Sequence, residues 1–174
     1  MNSQLKSSIW LQFGAAIDTL DDAIQTCPDR LWHALLWNDT TENSKYAQFW
    51  YIAHHALFWL DLYLSGSVES FTPPAPFTLT ESDANGFPER PYTRDELRAY
   101  LDYDRRKCQA TIETLTDEKA KSSCKFPWGE VSFIELQLYS MRHVQEHAAQ
   151  LNLLLGQNGV PVKGWVKKAR DKTT

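Results

Sequence analysis

The sequence predicts an all-α protein, a four-helix bundle with an up-down-down-up course. Three observations carry this. Four stretches repeat apolar residues every three or four positions, no convincing strand alternation appears, and a long proline-rich connection separates the second stretch from the third. With 174 residues the chain can bury one sizeable core. One bundle domain over 1–157 and a C-terminal tail over 158–174 are therefore expected.

The first helix is expected over 3–26. Leu5, Ile9, Phe13, Ile17, Leu20 and Ile24 form one apolar stripe, and Pro28 closes it. The second is expected over 44–65, through "KYAQFWYIAHHALFWLDLYLSG", with Gly66 as its stop. The third, over 93–116, opens on a capping box made by Thr93 and Glu96 and carries Leu97, Leu101, Cys108, Ile112 and Leu115. The fourth, over 131–156, opens on a similar pair, Ser132 and Glu135. It runs through Leu138, Met141, Val144, Ala148 and Leu151 to Gly156. The 66–92 connection holds five of the eight prolines and is long enough to cross the bundle. Helices two and three are thus expected to run parallel.

Composition narrows the function classes. A net charge of −4 argues against a large phosphate-binding surface, so no nucleic-acid partner is expected. The basic stretch "VKGWVKKARDK" reads as a solvated tail. Cys27, Cys108 and Cys124 are widely spaced, without a C-x-x-C pair, and read as free thiols in a reducing compartment. The N-terminus lacks the apolar run of a signal peptide, and "YIAHHALFWLDLYL" is too short to span a membrane. A cytoplasmic protein without a membrane partner is expected. The 13% aromatic content predicts a tightly packed interior or a deep apolar pocket.

The five histidines carry the chemistry. His143 and His147 are four residues apart, so they share one face of the fourth helix, with Cβ atoms about 5–6 Å apart. Apolar residues flank their line, which places it toward the bundle interior. H-x-x-x-H alone is a weak signal, more often two core or surface histidines. Helix two adds to it. His54 and His55 point about 100° apart, so one of them faces a site. His55 shares an uncharged stripe with Tyr51, Ile52, Phe58, Trp59 and Leu62. His54 shares a line with Asp61 and Ser65 and reads as nearer to solvent. The face argument selects His55, with His54 as the alternative or as a neighbour that hydrogen-bonds elsewhere. A third imidazole facing the pair suits a divalent transition metal with open positions. His33 reads as structural or near a pocket rim.

"WYIAHHALFWLDLYL" and "SFIELQLYSMRHVQEHAAQLNLLLG" together resemble the DinB/YfiT-like family of metalloenzymes. The resemblance covers nearly the whole chain. It implies a bundle with a long crossover between helices two and three, and a metal triad of one histidine from helix two and an H-x-x-x-H pair from helix four. Carried onto this chain, the triad falls on His55 (or its neighbour His54), His143 and His147, holding Zn, Ni, Fe or Mn. The resemblance also implies a homodimer. It is specific for fold and metal and poor for reaction, since the family includes thiol-dependent transferases and an isomerase.

Two competing metal motifs lack the carboxylates they need, and a third reading lacks its motif. His143 to His147 matches H-x-x-E-H with Glu146 as base, but that chemistry needs a further protein ligand, and no Glu follows His147. No Glu is followed by His at three residues, as a di-metal carboxylate bundle requires. No G-x-S-x-G elbow supports a serine triad.

Three neutral imidazoles leave the ion's double charge intact, a strong Lewis acid suited to hydrolysis or to thiol transfer. The expected function is a metal-dependent transferase or hydrolase on a small molecule, with a low-molecular-weight thiol as a candidate partner. The alternative is a non-catalytic metal-binding or stress-response bundle. Tyr51, Trp59 and Tyr139 are candidates for the pocket wall. Glu146 and Asp61 read as solvated rather than as base or orienting carboxylate.

Overall fold

The periodic stretches fold as helices. The computed structural model describes residues 2–37, 42–69, 71–83 and 86–171. The elements are α1 (Ser3–Thr26), α2 (Phe49–Ser65), α3 (Arg94–Thr114), a short α4 (Asp117–Lys121), β1 (Ser123–Phe126), β2 (Gly129–Ser132) and α5 (Phe133–Gln157). Thr93 and Glu96 form the full reciprocal capping box, and Ser132 accepts from the Glu135 amide at the start of α5. Gly66 caps α2 in the left-handed region, φ 76°. Gly156 does not stop α5. The helix runs one residue further, and the left-handed residue is Gly159.

Helix two begins later than its periodicity suggests. Glu42–Ala47 form a 3-10 turn, and α2 starts at Phe49. The amides of Phe49 and Trp50 donate to the carbonyls of Ala34 and Trp32, so the first connection satisfies donors that a helix start leaves open.

Between α3 and α5 the structure adds a two-stranded antiparallel hairpin, β1 with β2, where no strand was expected. Four residues per strand are too few for alternation to register, although Cys124 and Phe126 do alternate inward.

The four long helices enclose the main core, and a second buried cluster with Phe58, Leu62, Phe126 and Phe133 lies beside the hairpin. α1 packs against α3 and α5, and α2 packs against the same two. Phe13, Ile17, Leu20, Leu57, Leu60, Leu97, Leu101, Val144 and Leu151 fill the interior. Along α2 and α3, contacting pairs ascend together: His54 with Tyr92, Asp61 with Tyr100, Ser65 with Lys107. Between α2 and α5 they run oppositely, Tyr63 with Gln137 and His55 with His143.

The crossover lies on α2 and covers residues expected at the surface. Phe77 and Tyr92 pack on His54, which is 0% exposed rather than near solvent. Asp61 is also fully buried rather than solvated. It accepts from Lys107 Nζ at 2.5 Å and from the Tyr100 hydroxyl at 3.0 Å. A buried carboxylate requires such partners, and α3 supplies both.

The segment after α5 is mostly exposed, but near its end it is tied to α1. Ala169 donates to the Leu11 carbonyl at 2.7 Å and packs so closely on Gly14 that a Cβ there would stand 2.5 Å from its own. Arg170 pairs with Asp22, and its amide reaches Asp18 at 2.7 Å. Arg170 and Lys163 thus offset the buried charge of Asp22, while the buried Asp18 gains a backbone donor.

Candidate metal centre

α2 and α5 place three imidazoles against one another. His143 and His147 share the inward face of α5 because four residues bring them round to the same side. His55 comes from the facing side of α2. Its Nε2 is 3.1 Å from His143 Nε2, and His147 Nε2 is 3.0 Å from the same atom. One ligand atom from each of the three lies within 4.8 Å of the others. His54 is outside this group, in an aromatic cage of Phe58, Phe77 and Tyr92.

The outer ring nitrogens decide which inner ones carry lone pairs. His55 Nδ1 lies 2.5 Å from Glu81 Oε1, and His147 Nδ1 lies 2.9 Å from Gln150 Oε1. Each outer nitrogen therefore donates, leaving Nε2 of both rings with a lone pair facing inward. His143 has one proton and two such neighbours, so its Nε2–H can satisfy only one of them. Its Nδ1 is buried without a partner among the described residues. A cation between the three nitrogens satisfies every inward lone pair at once. Bonds of about 2.0–2.1 Å in a tetrahedral arrangement space nitrogen ligands roughly 3.3–3.4 Å apart, close to the two separations from His143 Nε2. The residues fit a divalent ion.

Electrostatics agree. Burial, followed by the neighbouring imidazoles, pushes His143 down to about 3. Burial and then His55 lower His147 too, although Gln150 and two carboxylates oppose this. Both rings are neutral at pH 7, the form that binds metal. Burial pushes the Glu81 carboxyl up, yet its bonds from His55 and Tyr51 outweigh this and hold it below its ordinary value.

The family model of the DinB superfamily matches residues 12–151, a span that includes all three histidines. The chain belongs to the DinB superfamily. Its structure is similar to that of a DinB-like protein, YjoA, from Bacillus subtilis, with TM-score 0.60 and 14% identity, covering 94% of this chain and 99% of that one. At that identity the likeness speaks for the fold. No curated protein matches the sequence.

In this DinB-superfamily bundle a cleft of about 660 Å³ opens beside the histidines. Tyr51, Trp59, Trp37 and Tyr46 give it aromatic walls, and His55, His147 and Glu81 lie at its side. Tyr51 and Trp59, the sequence's candidates for the pocket wall, line this cleft. Tyr139 does not line this cleft. It stacks on Trp128 of the hairpin turn, 4.9 Å between centroids, and meets Tyr63 edge-on. Glu146 points away from the trio into a different groove, between α1, α5 and Trp165. His33 is exposed, bonds to Gln48 and lines a third cleft.

Glu81 is the site residue that sequence reasoning missed. Its carboxylate joins His55 to Tyr51, whose hydroxyl donates to Oε2 at 2.5 Å. It sits in a 3-10 turn, Leu79–Ser82, within the crossover. Four acidic residues among others punctuate that connection, Glu69, Glu81, Asp83 and Glu89, and no local pattern singles one out.

Among the described residues, no helix is long and apolar enough to cross a membrane.

Proposed function

We propose that the chain is a metal-dependent enzyme acting on a small molecule, a thiol-dependent transferase or a hydrolase. His55, His143 and His147 hold a divalent transition metal, Zn, Ni, Fe or Mn. The observation that carries this reading is the convergence of three Nε2 atoms beside a cleft large enough for a substrate. When bound, such an ion supplies Lewis acidity to a thiol, water or carbonyl oxygen.

The chain's own residues have distinct parts in this reading. Each histidine offers a ring nitrogen, and His55, whose side chain is 27% exposed, connects the trio to the cleft. Trp59 and Tyr51 narrow access and exclude water from the inner side. No fourth protein ligand contacts the three nitrogens among the described residues, so a position is left for substrate. The ascending pairs along α2 and α3 support the up-down-down-up course, which sets His55 opposite the α5 pair. A cytoplasmic location and a homodimer belong to the same reading; sedimentation equilibrium at micromolar concentration should give twice the chain mass.

Cobalt substitution tests the function. The visible spectrum of the cobalt protein should change when a small thiol or carboxylate is added, because the anion enters the ion's first shell. His143→Ala should remove both the cobalt bands and that response. A cobalt spectrum indifferent to every added thiol and anion marks a closed, structural site and sinks the enzymatic reading.

A further inference from the structure

We propose that Glu81 is the positioning residue of the metal site: from the crossover it fixes the His55 ring so that Nε2 faces His143 and His147. This inference rests on the three-histidine reading above.

The geometry is specific. An imidazole can turn about its Cβ–Cγ bond and can carry its proton on either nitrogen, so a helix alone does not aim a lone pair. A carboxylate receiving Nδ1–H settles both, because the opposite nitrogen must then carry the lone pair. Glu81 Oε1 lies 2.5 Å from His55 Nδ1. Its side chain is 4% exposed, so water competes little for that bond. The other oxygen, Oε2, is held by the Tyr51 hydroxyl at 2.5 Å, one helical turn before His55. Two residues of α2 thus clamp one carboxylate, and the carboxylate cannot rotate away from the ring.

The three histidines are not supported alike. His147 has a neutral acceptor, Gln150, on its own helix. His143 Nδ1 has no partner among the described residues. Among the described residues, His55 alone of the trio has a carboxylate bonded to its outer nitrogen, delivered from outside the long helices. His54, the adjacent ring, has its Nδ1 3.9 Å from Glu81 Oε2, beyond hydrogen-bond reach. Glu81 therefore discriminates between the two neighbouring histidines. It draws one into the site and leaves the other in the aromatic cage. It also adds a negative charge beside a ligand set that carries none, which strengthens the hold on a divalent cation.

The test uses the full chain as wild type, Glu81→Ala, Glu81→Gln and Ser82→Ala. Ser82 serves as the control for loosening of the turn, because its hydroxyl bonds the Leu79 carbonyl. Two quantities are measured: the Zn²⁺ dissociation constant by chelator competition, and the His55 tautomer of the metal-free protein by long-range ¹H–¹⁵N NMR. Wild type should show a single Nδ1–H form. Glu81→Ala should lose that single form and bind Zn²⁺ about 10–100-fold more weakly. Glu81→Gln, which keeps an acceptor oxygen, should fall between the two, and Ser82→Ala should match wild type. The Gln variant also decides the matter if Glu81→Ala fails to fold. Unchanged tautomer and unchanged Zn²⁺ affinity in the folded Glu81 variants overturn the proposal. If wild type binds no Zn²⁺, the three-histidine reading falls, and the metal role of Glu81 falls with it. That failure is recognisable because the tautomer still responds to Glu81→Ala.

Discussion

His55 Nε2 and His143 Nε2 stand 3.1 Å apart across the α2–α5 interface, although 88 residues separate them in the chain. Burial holds the His143 ring neutral, and its Nδ1 is buried without a partner among the described residues. The contact therefore contributes little to folding by itself. Replacing His143 or His147 with Ala should abolish stoichiometric Zn²⁺ binding, read by elemental analysis after dialysis. The thermal midpoint of the metal-free protein should stay within a few degrees of wild type. A large loss of metal-free stability would mean that the histidines are core residues first.

Asp18 tells the opposite story. It is fully buried, and Arg105 Nε donates to it at 3.0 Å while the Arg170 amide donates at 2.7 Å. Arg105→Met leaves that carboxylate short of its charged partner, at a cost of about 3–5 kcal/mol in urea unfolding. Adding Asp18→Asn should recover part of the loss, because the uncompensated charge is gone. A strictly additive double variant would show that the two groups do not interact.

Acid sensitivity should report the α3 cap. Bonds from Arg90, together with those from Thr93, hold Glu96 down to about 2, below its ordinary 4.5. A carboxyl lowered on folding adds stability that is complete above its unfolded value and lost as pH falls through the folded one. The contribution of Glu96 should therefore decline between about pH 4.5 and pH 2. Because the ion pair is solvent-exposed, salt should weaken it. Glu96→Gln should flatten the stability profile in that window, measured by urea midpoints at stepped pH, and leave its shape elsewhere unchanged.

Gly66 ends α2 at φ 76°, and a Cβ added there would meet the Phe133 ring at 3.0 Å. Gly66→Ala should destabilise the fold by about 1–2 kcal/mol from the left-handed conformation alone, with the ring contact adding to it. The shift is readable in urea midpoints. An Ala variant as stable as wild type would mean that α2 ends differently.

Much of the helical framework was legible in local pattern. The stripe of α1, the Thr93–Glu96 box and the Gly66 stop are short-range signals, and each marks an element in the structure. The hairpin escaped because its strands are four residues long. At the site, the i, i+4 spacing of His143 and His147 sufficed to place both on one face, and the uncharged stripe around His55 separated it from His54. The same reasoning failed for His54 and Asp61. A polar line on a helix looks solvated until a neighbouring element covers it, and the crossover and α3 do so here.

The sequence by itself thus determined what repeats within a turn or two: helices, caps, stops and the shared face of two histidines. Backbone geometry ties such residues together at any location in the fold. Only the tertiary structure decided which buried charges find partners: Glu81 at His55, Lys107 at Asp61, Arg105 and Arg170 on the acids of α1. Those pairs join segments far apart in the chain. Each is selected by the cost of burying an unpaired charge, a cost that exists only once the helices have packed.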